Sequence, residues 1–418
     1  MKVLIKNATI HSPSSPLHGK IQDILIDDGS ITAIADQCDE DGAQVIEIPS
    51  LHVSLGWVDC FANFCDPGEE YRETLATGAE AAAAGGYTEV MLIPNTQPPV
   101  SGKSQVEYLV QKGNRLPVHI HPLGSVTKNA DGKELAEMYD MFDSGALAFT
   151  DGLTPVQSSG ILQKALEYLL TIGGTLIQLP DDKTIGTHGL MHEGVISTQL
   201  GLPGKPAIAE SMMIARDIEI ARYTGSKIHF TGISTGKSLE LIAAAKAEGL
   251  QVSCSVTPYH LFFSDEDLVN YDTHLKVNPP LRTPADRELL REGVRSGLID
   301  FIASHHQPQN WDDKVCEFEY AKSGMEDLEC IFGAAGACGI ESATFIKMQT
   351  ENIRRVFGIP LPELKSGEAA NLTLYIPGEE YIFEEAQIRS KSHNNAFIGK
   401  KLKGKVIGII NREKLFLL

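Results

Sequence analysis

Between residues 53 and 303 the chain repeats one pattern: a short apolar run, then a helical stretch, eight times over. The apolar runs are 53–60 (VSLGWVDC), 88–93 (TEVMLI), 117–122 (PVHIHP), 146–150 (ALAFT), 174–179 (GTLIQL), 226–231 (KIHFTG), 251–256 (QVSCSV) and 299–303 (IDFIA). Runs this short and this apolar suit strands buried in a parallel sheet. Helical patterns such as 72–84, 157–171, 207–223 and 236–247 lie between them as crossovers. Eight such units favour a closed (β/α)8 TIM barrel over an open doubly wound sheet. No Gly-x-Gly-x-x-Gly follows the first strand, which argues against dinucleotide binding.

Both ends of the chain have a different texture. Residues 2–10, 22–27 and 31–35 are rich in Ile and Val, and the turn Asp27-Asp28-Gly29-Ser30 reads as a hairpin. The stretches 371–376 (NLTLYI) and 403–418 repeat that texture. The expected organisation is one small β-sandwich domain built from 1–52 and 360–418, with the barrel spanning 53–359. A formal charge of −19 argues against nucleic acid or an anionic membrane as partner. The start, MKVLIKNATIHSP, reads as a strand and not as a signal peptide, and no run approaches 18 apolar residues. Seven scattered cysteines read as reduced thiols of a cytoplasmic protein. Cys60 and Cys65 have a spacing that suits a metal pair, but no second Cys or His pair lies nearby, so no zinc site is expected there.

In a barrel of this type chemistry sits at the C-terminal ends of the strands. The first strand ends in Gly-Trp-Val-Asp-Cys-Phe-Ala-Asn-Phe-Cys-Asp-Pro-Gly, residues 56–68. The segment that follows, 67–99 (PGEEYRETLATGAEAAAAGGYTEVMLIPNTQPP), resembles the dihydroorotases of the multifunctional-complex type, cyclic-amide hydrolases of pyrimidine synthesis in the amidohydrolase superfamily. The likeness continues through 189–217, 257–261 (TPYHL), 276–282 (KVNPPLR), 297–309 (GLIDFIASHHQPQ) and 390–399 (SKSHNNAFIG). Allantoinases and dihydropyrimidinases are close relatives of that family. The resemblance implies a zinc-activated hydroxide that attacks a ring carbonyl, with an Asp after the eighth strand moving the proton.

Carried over residue by residue, the resemblance implies a dismantled site. The His-x-His of the first strand becomes Phe61 and Asn63, and the Arg that pairs with the substrate carboxylate becomes Cys65. The ligating carboxylate of the fourth strand becomes Gly152, with Asp151 as a surviving neighbour if the register is shifted by one. The His of the fifth strand becomes Gln178, that of the sixth becomes Gly232, and the general base becomes His305 in Ser-His-His-Gln-Pro-Gln. Phe and Gly donate nothing, and neutral amides rarely hold zinc. Asn95 and Asn278 match substrate-contacting positions, although Asn before Thr or Pro commonly shapes a loop through its own side chain.

These residues admit other chemistry. His305 and His306 suggest a metal-independent base, and Cys60 or Cys65 with His305 suggests a thiolate hydrolase. Polar residues filling an emptied pocket is the preferred account. His188, His192 and His260 read as loop or surface residues. The expected function is a dihydroorotase-like protein without catalytic residues, metal or cofactor, acting as a structural or regulatory partner of aspartate carbamoyltransferase, as degenerate members of the family do. The resemblance also suggests a homodimer. The alternatives are an active cyclic-amide hydrolase with an atypical site, and a small-molecule sensor that uses the vacant pocket.

Overall fold

A computed structural model describes residues 1–418 except residues 14 and 41. In chain order the strands are β1 Lys2–His11, β2 Ile21–Asp27, β3 Ser30–Ala35, β4 Gln44–Glu47, β5 His52–Leu55, β6 Trp57–Ala62, β7 Tyr87–Leu92, β8 His119–Gly124 and β9 Ala148–Phe149. They continue as β10 Thr175–Gln178, β11 Met191–His192, β12 Gly204–Lys205, β13 Lys227–Phe230, β14 Val252–Val256, β15 Phe301–Ile302, β16 Asn371–Ile382, β17 Lys401–Asn411 and β18 Lys414–Leu417.

Eight parallel strands, β6 to β10 and β13 to β15, form the barrel in sequence order. Each overlaps one of the eight apolar runs of the sequence. Between them, helices Leu75–Ala84, Ser159–Ile172, Ile208–Thr224 and Gly236–Ala247 match the predicted crossovers. Three begin with a hydroxyl cap: Thr74 accepts from Thr77 N, Ser158 from Ile161 N and Thr235 from Ser238 N. Thr74 and Thr235 lie in loops that leave strand ends, so the caps hold the backbone at the barrel mouth in place. Trp57, Phe149, Phe230 and Phe301 are fully buried in the barrel's core.

Among the described residues no ladder pairs β15 with β6. Side chains close that seam: Asp59 Oδ1 accepts from Ser304 N at 2.9 Å and Oδ2 from Ser304 Oγ at 2.6 Å. Beyond the strand ends Asn63 N donates to the His306 carbonyl at 2.9 Å.

The chain termini build one domain, whose eight strands are hydrogen-bonded into a single continuous sheet around a core of its own. Its order is β18-β17-β16-β5-β1-β2-β3, with β4 on the first half of β1 and β5 on the second. The inner face packs around Val3, Ile5, Ile24, Val53 and Leu372. The predicted first barrel strand is split, because β5 belongs to this terminal sheet and the barrel starts at Trp57. Gly56 makes the break: a Cβ there would stand 1.8 Å from Asn371 Oδ1 and 2.1 Å from Thr88 Oγ1. No helix among the described residues is long and apolar enough to cross a membrane, and all seven cysteines are unpaired.

Candidate functional site

The strand ends bring Phe61, Asn63, Asn95, Gly152, Gly232 and His305 to the barrel mouth, where neighbours take the room that side chains would need. The Phe61 ring lies on His305, with centroids 4.4 Å apart and planes inclined by 31°. At Gly232 (φ +65°) a Cβ would stand 2.4 Å from His305 Cε1. At Gly152 (φ +61°) it would stand 1.7 Å from Asn95 Oδ1. Both glycines hold left-handed backbone that L side chains rarely adopt.

The polar groups at the mouth are committed. Asn63 Oδ1 accepts from Cys65 N at 2.8 Å. Asn95, after β7, reaches the loop after β9, accepting from Leu153 N at 3.0 Å and donating to the Asp151 carbonyl at 3.1 Å. Its side chain thus ties two loops together, where its sequence context suggests a bond within its own loop. The Asp151 carboxylate accepts from Thr127 N and Oγ1 at 2.9 and 2.6 Å and makes no bond to His305. Burial pushes its pKa up to about 6 against those bonds.

His305 heads a chain of hydrogen bonds inside the barrel. Its Nε2 is 2.7 Å from Thr231 Oγ1, which is 3.0 Å from Ser255 Oγ. Ser255 meets His229 Nε2 at 3.0 Å, and His229 Nδ1 meets Ser253 at 2.8 Å. Burial, helped by His260, lowers the His305 pKa to about 3. Such an imidazole is a poor proton acceptor at neutral pH. Burial also pushes the Cys65 thiol up to about 12 and Cys60 further in the same direction, so neither is poised as a thiolate.

Gln178 is misplaced in the predicted ligand set. Its amide donates to Asp217 Oδ2 at 3.0 Å and to the Val156 carbonyl at 3.3 Å, so it faces the helix layer. Alternation along the strand puts the next residue, Leu179, on the other face, and leucine has no donor. His306 is also structural: Nε2 is 3.5 Å from Glu73 Oε2 and Nδ1 accepts from Asp327 N at 3.3 Å. His188 is exposed, as expected for a loop residue. His192 and His260, read as loop or surface residues, are instead buried, the first in β11 beside Arg282 and the second in the helical turn Pro258–Phe262 between Thr257 and the Pro280 carbonyl.

The sequence reading missed the charges above the strands. A cavity of about 400 Å³ opens at the mouth, lined by Lys183, Lys205, Lys276 and Asn278 among others. Lys205 Nζ is 2.6 Å from Asp181 and 2.9 Å from Asn278 Oδ1. Burial pulls Lys205 below its ordinary range against the charge of Asp181. Behind this layer Arg282 faces buried Glu210 at 3.6 Å, and Glu210 accepts from Ser234 N at 2.9 Å and Ser238 Oγ at 2.6 Å. These lysines come from loops far apart in sequence, and no local motif marks them.

A family model described as Dihydro-orotase-like matches residues 52–238. A dihydroorotase of Pelotomaculum thermopropionicum is 39% identical over 97% of this chain and 96% of its own length. The chain belongs to the dihydroorotase family. A dihydroorotase of Aquifex aeolicus is 36% identical over 99% of both chains. Among solved structures, L-hydantoinase (dihydropyrimidinase) from Arthrobacter aurescens superposes with a TM-score of 0.84 at 22% identity, covering 100% of this chain and 97% of that one, which supports the barrel-plus-sheet fold.

The family implies zinc at this mouth, and the residues present do not fit it. Zinc takes about three or four N, S or O donors at roughly 2.0–2.3 Å. The carried-over positions offer one aromatic ring, two glycines whose side-chain space is filled, an amide turned away, an asparagine bonded to its own loop and one histidine. Among the described residues no group of three or more His, Cys, Asp or Glu side chains is arranged to hold a metal ion.

Proposed function

We propose that the chain is a non-catalytic dihydroorotase homologue serving pyrimidine synthesis in the cytoplasm, as a structural or regulatory partner of aspartate carbamoyltransferase. The observation that carries this is the packed mouth: Phe61 lies on His305, and His305 and Asn95 fill the space beside Gly232 and Gly152. Opening a cyclic amide at neutral pH needs an activated nucleophile and a base. Here burial lowers the His305 imidazole to about 3 and pushes the Cys65 thiol up to about 12, so neither is tuned for the task. The intact barrel and terminal sheet, at up to 39% identity to named dihydroorotases, support retention of the family's scaffold.

Two measurements test this. Purified protein supplied with zinc is expected to open or close the dihydroorotate ring no faster than buffer; turnover would overturn catalytic silence. Mixed at micromolar concentration with the aspartate carbamoyltransferase chain of its own organism, it is expected to co-migrate as a larger species, and independent migration would refute the partnership. The chain alone is expected to run as a dimer.

The lysine-lined cavity favours a second reading, a sensor of small anions. Dihydroorotate or carbamoyl aspartate would then raise the melting temperature in a concentration-dependent way, and Lys205→Ala would abolish the shift.

A further inference from the structure

We propose that His119 and His121 form a transition-metal site at the barrel end opposite the mouth, in the cavity between the barrel and the terminal sheet. That cavity measures about 880 Å³, and its lining includes Glu89, His119, His121, Asn371, Arg412 and Lys414. Residues i and i+2 of a strand share a face, so Val118-His119-Ile120-His121 sets two imidazoles side by side on β8. Their ring centroids are 4.5 Å apart at an interplanar angle of 76°. Two nitrogens bound to one tetrahedral ion at about 2.0–2.1 Å are about 3.3 Å apart.

Glu89 selects the tautomer. Its Oε2 lies 2.7 Å from His121 Nε2. A carboxylate oxygen accepts the ring N–H, which leaves the lone pair on Nδ1. Arg354 fixes Glu89 from behind, with Nη2 2.6 Å from Oε1, and is itself anchored on the Thr350 and Gly56 carbonyls. Asn371 Nδ2 donates to the same Oε1 at 3.4 Å. A carboxylate on the outer N–H of an imidazole is how metal sites orient their histidines. His119 makes no hydrogen bond with the described residues.

The site has two protein nitrogens and lacks a third His, Cys, Asp or Glu in ligating position. Water or a small anion from the cavity completes the coordination. Imidazole donors select copper(II), nickel(II) and zinc over magnesium and calcium. The assignment is independent of whether the mouth is catalytically silent.

The test uses full-length protein stripped with a chelator and titrated calorimetrically with copper(II), nickel(II) or zinc. One equivalent is expected, bound most tightly for copper. Glu89→Gln should weaken uptake about 10- to 100-fold, the usual effect of losing an outer carboxylate; His119→Ala and His121→Ala should weaken it at least as much. His305→Ala, at the mouth, should leave it unchanged. Copper EPR should show coupling to two nitrogens in the wild type and to one in each alanine variant. His119 keeps an open side toward solvent, so its replacement leaves the fold intact, and a melting curve for each variant checks this. No stoichiometric uptake, or uptake unweakened in both alanine variants, overturns the proposal.

Discussion

Gly232→Ala tests how the mouth is packed. The residue sits at φ +65°, and its new Cβ would stand 2.4 Å from His305 Cε1. Left-handed backbone costs an L residue about 1–2 kcal/mol, and overpacking of a buried site costs about 1–3 kcal/mol. Together they predict a loss of about 2–5 kcal/mol. His305→Ala removes the ring and the clash, at the expense of the Phe61 contact and the Thr231 bond, each worth roughly 0.5–1.5 kcal/mol. In the double variant only the backbone strain of an alanine at position 232 is left from the first change. The pair should therefore be less damaging than the sum of its parts by about 1–3 kcal/mol. Urea unfolding, followed by the fluorescence of fully buried Trp57 in a Trp311→Phe background, measures all four stabilities; Trp311 is 72% exposed and its removal is silent. Additivity within about 0.5 kcal/mol would show that His305 does not occupy that space.

Installing histidines at 61 and 63 together should add no zinc equivalent at the mouth, because Asn95 and His305 still fill the space beside the two glycines; calorimetry in a His119→Ala background reads this, and a new equivalent would refute it. Burial raises the Asp59 carboxyl to about 7, against its bonds from Ser304. The folded state therefore keeps a proton that the unfolded chain releases near pH 4. The stabilisation is complete below about pH 4 and is lost as pH rises through about 7, a swing of roughly 4 kcal/mol. Asp59→Asn should lack this component, so the stability of the wild type relative to the variant should fall between about pH 4.5 and 7.5; a rise would contradict the assignment. Of the seven thiols, Cys38 and Cys316 are half-buried and the other five are buried. A thiol reagent should modify at most these two rapidly, with the other five waiting for unfolding, and rapid labelling of Cys65 would refute its inert environment.

The alternation of apolar runs and helical patterns was enough to locate all eight barrel strands and the composite terminal domain, because buried parallel strands have few other sequences available to them. Residues 61, 63, 152, 232 and 305 were picked out through family resemblance, and all five lie at or just beyond the strand ends that form the mouth. Gln178 was not: at a strand end a one-residue shift reverses the face, and nothing local indicates that its amide finds Asp217 on a helix. Gly56 was not read as a break, since its constraint comes from Asn371, more than 300 residues downstream. The lysine cavity and the Glu89–His121–Arg354 cluster depend on the same long-range closure.

A barrel has no free strand edges only while its first and last strands are held together. Here that junction rests on the Asp59 carboxylate and Ser304. If it parted, two adjacent backbone edges would face solvent, each able to template pairing with another chain. The stickiest state of this protein would then be a native barrel opened along one line, so aggregation could begin well before global unfolding.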